Sequence, residues 1–184
     1  MGPVRLAVII GSTREGRAGE EIARWFVAQA AGRDDMTVNL VDLADYDLPA
    51  RYTAEPTDAI RSFVREVGLA DAFAVVTPEY NHSFPASLKQ AIDYAYDEWQ
   101  AKPVGFVAYG CRSTGLHAVD QLRTVFTALH ATTVRDVVGV DLLRGEPSPE
   151  CADQLCQDAR VLLDQLTWWG LALRDARAAR PYVS

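Results

Sequence analysis

Three short stretches concentrate the residue types that can hold an anion and a flat ring. The first, residues 11–20 (GSTREGRAGE), carries Gly11, Gly16 and Gly19, the hydroxyls of Ser12 and Thr13, the guanidinium groups of Arg14 and Arg17, and Glu20. Glycines let a backbone approach a ligand closely, a helix N-terminus presents unpaired N–H groups, and guanidinium forks match phosphate oxygens. The combination predicts a phosphate receptor; the competing reading is a flexible helix entry whose arginines point at solvent. The spacing is neither Gly-x-Gly-x-x-Gly nor a loop ending in Gly-Lys-Ser/Thr, so neither a dinucleotide fingerprint nor an ATP-cleaving loop is supported.

The second stretch, residues 78–85 (PEYNHSFP), has Pro78 and Pro85 to fix its path. Tyr80 and Phe84 offer flat apolar surfaces, and Asn81 offers hydrogen bonds suited to the edge of a heteroaromatic ring. Packing at the rim of a sheet is the simpler use of the two aromatics. The third, residues 109–115 (YGCRSTG), has Gly110 and Gly115 to let N–H groups face a ligand, while Ser113 and Thr114 also suit capping of the next helix. Cys111 lies where a helix N-terminus favours thiolate, although a small inert filler is the simpler role.

What must position these stretches is an alternation of short β-branched runs with helix-period segments. Val4–Ile10 reads as a buried strand; residues 18–31 read as a helix that Gly32 closes. Strands follow over 37–43, 71–77, 103–108 and 132–140. A loop over 44–56 carries Pro49 and Pro56, and Thr57 or Asp58 caps a helix with Ile60, Val64 and Val67 on one face. Residues 86–97 form another helix, Leu116 to Leu129 mark the next, 145–149 turn, and 150–173 close the chain as one long helix. Five strands alternating with five helices predict an α/β three-layer sandwich around a parallel sheet, and the flavodoxin-like order 2-1-3-4-5 is the natural topology. Residues 1–184 read as a single domain. In such a sheet ligands bind beyond the carboxyl ends of the strands, where the loops after strands one, three and four converge.

Composition sets outer bounds. In 184 residues, 18 Lys+Arg against 25 Asp+Glu give a net charge of −7. This balance argues against a sequence-independent nucleic-acid binder and against docking on anionic lipid. No apolar run reaches the ~18–20 residues of a membrane span. The apolar start runs into Gly-Ser-Thr-Arg instead of a cleavage site, and Leu6 breaks the myristoylation pattern. Cys111, Cys151 and Cys156 are an odd set without a CxxC pair, so neither a disulfide framework nor a metal site is suggested. A cytoplasmic protein is expected, with Arg14 and Arg17 as a local positive exception within an acidic total.

A phosphate at the first stretch and a planar ring between the other two describe a mononucleotide with a large aromatic base, and FMN fits. Gly11-Ser-Thr-Arg14, Pro78-Glu-Tyr-Asn81 followed by Ser83-Phe-Pro85 and Leu88-Lys-Gln-Ala-Ile-Asp93, and Tyr109-Gly110 resemble the NADPH-dependent FMN reductase family, which includes quinone, chromate and azo-dye reductases. The resemblance implies a flavodoxin-like fold, bound FMN, and NADPH or NADH as co-substrate. It places Ser12, Arg14, Arg17, Gly19 and Glu20 around the FMN phosphate, Glu20 through its backbone. Pro78, Glu79, Tyr80, Asn81 and Ser83 would border the ribityl chain and isoalloxazine, and Gly110, Cys111 and Ser113 would close the pyrimidine side. Cys111 departs from the small residue common after the Tyr-Gly pair, and His82 is given no catalytic role, a solvent-facing histidine being the simpler reading. The implied chemistry is ping-pong: hydride passes from nicotinamide C4 to flavin N5, then to a small acceptor such as a quinone, free flavin, azo or nitro compound. A flavodoxin-type electron carrier and a repurposed member without NAD(P)H turnover are the alternatives. The family also implies a homodimer or homotetramer, with Tyr94, Tyr96, Trp99 and the Trp168–Trp169 pair as aromatic contacts or as core. Arg174, Arg177 and Arg180 read as a solvated helix end.

Overall fold

Alternate residues of the first strand dictate the layering. In a computed structural model describing residues 2–144 and 154–183, β1 (Val4–Ile10) sends Val4, Leu6, Val8 and Ile10 to one face and Ala7 and Ile9 to the other. The first face packs on α1 (Gly19–Gln29), through Ile22 and Phe26, and on α5 (Gln154–Ala179), through Leu162 and Leu166. The second packs on α2 (Asp58–Leu69), α3 (Ala86–Tyr94) and α4 (Leu116–Ala128), through Phe63, Ile92 and Phe126 among others. Burial on both faces, worth about 1.5–3 kcal/mol for each large apolar side chain, is what permits an all-parallel sheet. The remaining strands are β2 (Met36–Asp42), β3 (Ala72–Pro78), β4 (Pro103–Gly110) and β5 (Thr132–Asp141). They pair in parallel in the order β2-β1-β3-β4-β5, the flavodoxin-like arrangement that the alternation predicts. Among the described residues, no helix is long and apolar enough to cross a membrane.

Two helix ends differ from the periodicity. The helix expected over 86–97 stops at Tyr94, because the indole N–H of Trp99 donates to the Ile92 carbonyl at 3.0 Å and takes up a helix-end acceptor. A 3₁₀ turn, Asp97–Trp99, then drops Trp99 into the core against Phe73 and Phe126, so Trp99 is core and not a subunit contact. The last helix runs beyond residue 173 to Ala179. The predicted turn 145–149 and the expected helix start at 150 lie outside the described residues.

The extension of α5 has an electrostatic cause at the amino-terminal end of the sheet. Asp71, 1% exposed, accepts from Arg5 Nε and Nη2 at 3.1 Å and pairs with Arg174 at 3.4 Å and Arg177 at 3.6 Å. Arg174 also donates to the Pro3 and Gly2 carbonyls and Arg177 to that of Ala101, so these two are not a solvated helix end. Beside them Lys102 is buried, donating to the Val67 and Gly68 carbonyls at 2.9 and 3.0 Å. Burial, helped by Arg177, pushes its ammonium down to about 8 from 10.5. Between those values the unfolded chain binds a proton that the folded chain does not, so this group makes stability rise with pH from about 8 to 10.5. Urea denaturation of the wild type and Lys102→Met at pH 7.5 and pH 10 is expected to show that rise in the wild type relative to the variant. Parallel changes in both would refute it.

The cysteines also differ from expectation: Cys156, buried at the start of α5, is disulfide-bonded, and Cys111 is free and exposed. An odd count excludes only a fully paired set.

Candidate functional site

β1, β3 and β4 are neighbours in the sheet, so the loops at their carboxyl ends meet over one edge. Three contacts tie them together. Ser12 Oγ lies 3.0 Å from Tyr80 Oη, joining the first loop to the second. The Glu79 N–H donates to the Tyr109 carbonyl at 3.2 Å, and the Ser113 hydroxyl donates to the Glu79 carboxylate at 2.6 Å, joining the second to the third.

In the first loop, Ser12 is 1% exposed and also accepts weakly from the Arg14 N–H at 3.4 Å. Arg14 itself is exposed and makes no ion pair among the described contacts. Arg17 behaves differently. Its guanidinium pairs with Asp42 at 2.6 Å and Glu20 at 2.7 Å, leaving Nε buried without a partner among the described residues. The two carboxylates neutralise Arg17, so the local positive charge expected of both arginines rests on Arg14. Glu20 also reaches Arg24 at 3.3 Å, so its carboxylate is held by arginines along the helix. Gly19 is the buried first residue of α1, facing the Tyr109 hydroxyl. No side chain caps α1, whose leading residue Ala18 has nothing to offer, so its first N–H groups stay open to a ligand. The Tyr109 hydroxyl beside them is buried without a well-formed hydrogen bond, and burial pushes its pKa well up.

The second loop begins at Pro78, the last residue of β3. Tyr80 and Ser83 form a two-way backbone pair at 2.7 and 3.0 Å around Asn81 and His82, both left-handed at φ 52° and 62°. Tight turns of this hand favour asparagine. Ser83 donates to Gln121 at 2.6 Å, and Gln121 donates to the His82 carbonyl at 2.7 Å, fixing the turn to α4. Tyr80 and Asn81 remain exposed.

The third loop reveals a cap that local reading misses. Neither Ser113 nor Thr114 caps α4; its N-cap is Gly115, and the Glu79 carboxylate accepts from the His117 N–H at 3.2 Å. Glu79 also pairs with His117 Nδ1 at 3.0 Å. Burial pushes the Glu79 carboxyl up, but hydrogen bonds from Ser113 and His117 outweigh it and hold the pKa below the ordinary value. His82 is exposed as expected, but it stacks on His117 with ring centroids 4.3 Å apart and planes 2° apart. His117 has no signal in its own segment, since its partners come from a loop 38 residues earlier. Between the second and third loops lies a cavity of about 560 Å³, bordered by Glu79, Gly110, Cys111 and Ser113 with the two histidines. That volume falls in the range of small-molecule sites.

A second hollow, about 280 Å³, lies between Thr13, Ser87 and the segment from Leu43 to Leu48. The adjoining loop is pinned to α3, with Tyr94 Oη donating to the Pro49 carbonyl at 2.6 Å and Gln90 donating to the same oxygen. Tyr94 is therefore engaged within the chain. Tyr96, Trp168 and Trp169 are exposed, the last two packed edge-on against each other.

Known proteins agree with this architecture. An oxidoreductase from Corynebacterium diphtheriae superposes with a TM-score of 0.77 over 94% of this chain and 99% of that one, at 19% identity, which shows the shared fold. An NAD(P)H-dependent FMN reductase of Schizosaccharomyces pombe is 35% identical over 123 residues, covering 60% of each chain. A quinone reductase of Pseudomonas putida is 32% identical over 127 residues, covering 63% of this chain and 67% of its own. The chain thus spans about 60% of the length of the first of these relatives. The family described as NADPH-dependent FMN reductase matches residues 4–142, which hold all three loops, and the chain belongs to that family.

Proposed function

We propose that residues 1–184 form one FMN-binding oxidoreductase domain, using NADPH or NADH to reduce a small acceptor such as a quinone, free flavin, azo or nitro compound. The observation carrying this reading is that contacts among three loops hold an uncapped helix N-terminus, after the first loop, on the same edge of the sheet as a ligand-sized cavity between the second and third. The residues fit the cofactor. Ser12, the exposed Arg14 and the open N–H groups from Gly19 and Glu20 suit the phosphate, while Arg17 acts by bracing Glu20 and Asp42. The Tyr109 hydroxyl at the helix start, without a well-formed hydrogen bond among the described residues, is a further donor. Glu79, Gly110, Cys111 and Ser113 border the cavity that would take the ring, and Pro78, Tyr80, Asn81 and Ser83, on the same loop as Glu79, are the residues that would complete its other side.

Bound FMN supplies hydride acceptance from the nicotinamide and delivery to the acceptor, in ping-pong order. The chain's part is placement. Glu79 holds the second loop to the third, and Ser12 and Tyr80 hold the first to the second; N–H groups after Gly110 would be the donors to negative charge developing on the pyrimidine side. Exposed Tyr96, Trp168 and Trp169 suit contacts in a homodimer or homotetramer in the cytoplasm.

A purified chain that is yellow and oxidises NADPH with a quinone supports the reading. Colour without turnover favours an electron carrier, and refusal of FMN overturns the assignment. For Arg14→Ala, loss of a charge-assisted phosphate contact is expected to weaken FMN about 10–100-fold by flavin fluorescence titration. Unchanged affinity removes Arg14 from the phosphate site.

A further inference from the structure

Glu79, His82 and His117 bring one carboxylate oxygen and two imidazole nitrogens within 4.8 Å of one another. They come from two separate elements, the loop after β3 and the first turn of α4, and both are held from behind. The Glu79 carboxylate is fixed by the Ser113 hydroxyl and the His117 N–H, and the His82 backbone is fixed by Gln121 and by its left-handed turn. We propose that these three residues form a binding site for one first-row divalent transition-metal ion of the zinc class.

Chemistry selects the ion. Two imidazoles and a carboxylate suit zinc, whereas magnesium and calcium take oxygen ligands. Zinc bonds of about 2.0–2.1 Å set tetrahedral ligand atoms roughly 3.3–3.5 Å apart. His117 Nδ1 and Glu79 already stand 3.0 Å apart, and His82 and His117 are exposed, so modest rotation out of the stack closes the set. Three protein ligands leave a coordination position for water or a small anion, as in open zinc sites. The adjoining cavity also holds Cys111 and Arg112. Cys111 lies outside the converging set, and Arg112 is exposed and free to turn its charge to solvent.

The test is calorimetric titration of the full chain with zinc sulfate, with the flavin content of the same sample measured by its visible absorbance, so that the zinc result is read apart from the flavin assignment. One saturable zinc per chain is expected, weakened at least ~10-fold in His82→Ala and in His117→Ala and retained in Cys111→Ser, while magnesium gives no binding heat. Both histidines are exposed, so circular dichroism is expected to show folded variants. Absence of saturable zinc binding overturns the proposal. So does zinc affinity that survives both histidine substitutions or that disappears only in Cys111→Ser.

Discussion

Replacing Asp71 with alanine is expected to lower the stability of the fold by about 3–5 kcal/mol, the usual cost of removing one partner from a buried ion cluster. For a chain of this size that corresponds to a fall in Tm of roughly 6–20 °C. The carboxylate is almost wholly buried, and Arg5, Arg174 and Arg177 converge on it. Lys102 adds a fourth cation nearby, already held below its ordinary pKa by burial. Without Asp71 these groups repel one another with no counter-charge between them. The cost is therefore not a local contact: it acts on the ends of β1, β3 and α5 together. Adding Lys102→Met to Asp71→Ala is expected to recover part of the loss, because it removes one of the uncompensated charges. If the double variant is less stable than the sum of the single effects, the repulsion argument fails.

The same group sets an acid limit. Burial pushes the Asp71 carboxyl up, but its hydrogen bonds and charge contacts with Arg5 outweigh that and hold its pKa below 3.8. A depressed carboxyl contributes stability that is fully present above the unfolded value and is lost as pH falls through the folded value. The Asp71 share is thus intact at neutral pH and declines only below about 3.8.

How much of this was legible beforehand follows from the range of each interaction. The layers follow from local pattern, because the central strands are continuous apolar runs and each helix carries its own apolar face, and the sheet order follows from the crossover rules for such an alternation of elements. The three loops are equally visible, since glycine, proline and hydroxyl residues mark them within a few positions. What joins the loops was not. Arg17 is captured by Asp42, 25 residues away, and Glu79 caps α4 from 38 residues before it. Residue type alone could not tell Arg17 from Arg14, or a capping Glu79 from a solvated one. Trp99 is ambiguous in sequence between core and interface, because the acceptor that draws its indole inward, the Ile92 carbonyl, is a backbone group that carries no residue-type signal. The arginines of α5 read as a solvated end because Asp71, their counter-charge, lies about a hundred residues earlier.

Gly115→Val is expected to damage the fold and the site at once, and the contrast with Gly32→Val separates the two effects. Both glycines are left-handed, at φ 86° and 80°, a conformation costing an L side chain roughly 1–2 kcal/mol. At Gly32 a Cβ would meet nothing within 4 Å, so backbone strain is the whole cost. At Gly115 it would stand 2.6 Å from Ala108 Cβ and 2.8 Å from the Tyr109 nitrogen, inside the end of β4. Overpacking of that kind adds roughly 1–3 kcal/mol, for a total of about 2–5 kcal/mol. Relief requires the start of α4 to move off the strand, and His117 and Ser113 move with it. That loosens the hydrogen bonds through which Glu79 joins the second loop to the third. Gly115→Val is therefore expected to lose FMN affinity by tenfold or more, about 1.4 kcal/mol, at a temperature where it remains folded. Gly32→Val, at the far end of α1, is expected to melt slightly earlier with FMN affinity unchanged. Equal FMN affinities for the two variants would mean that the Glu79 link does not shape the flavin site.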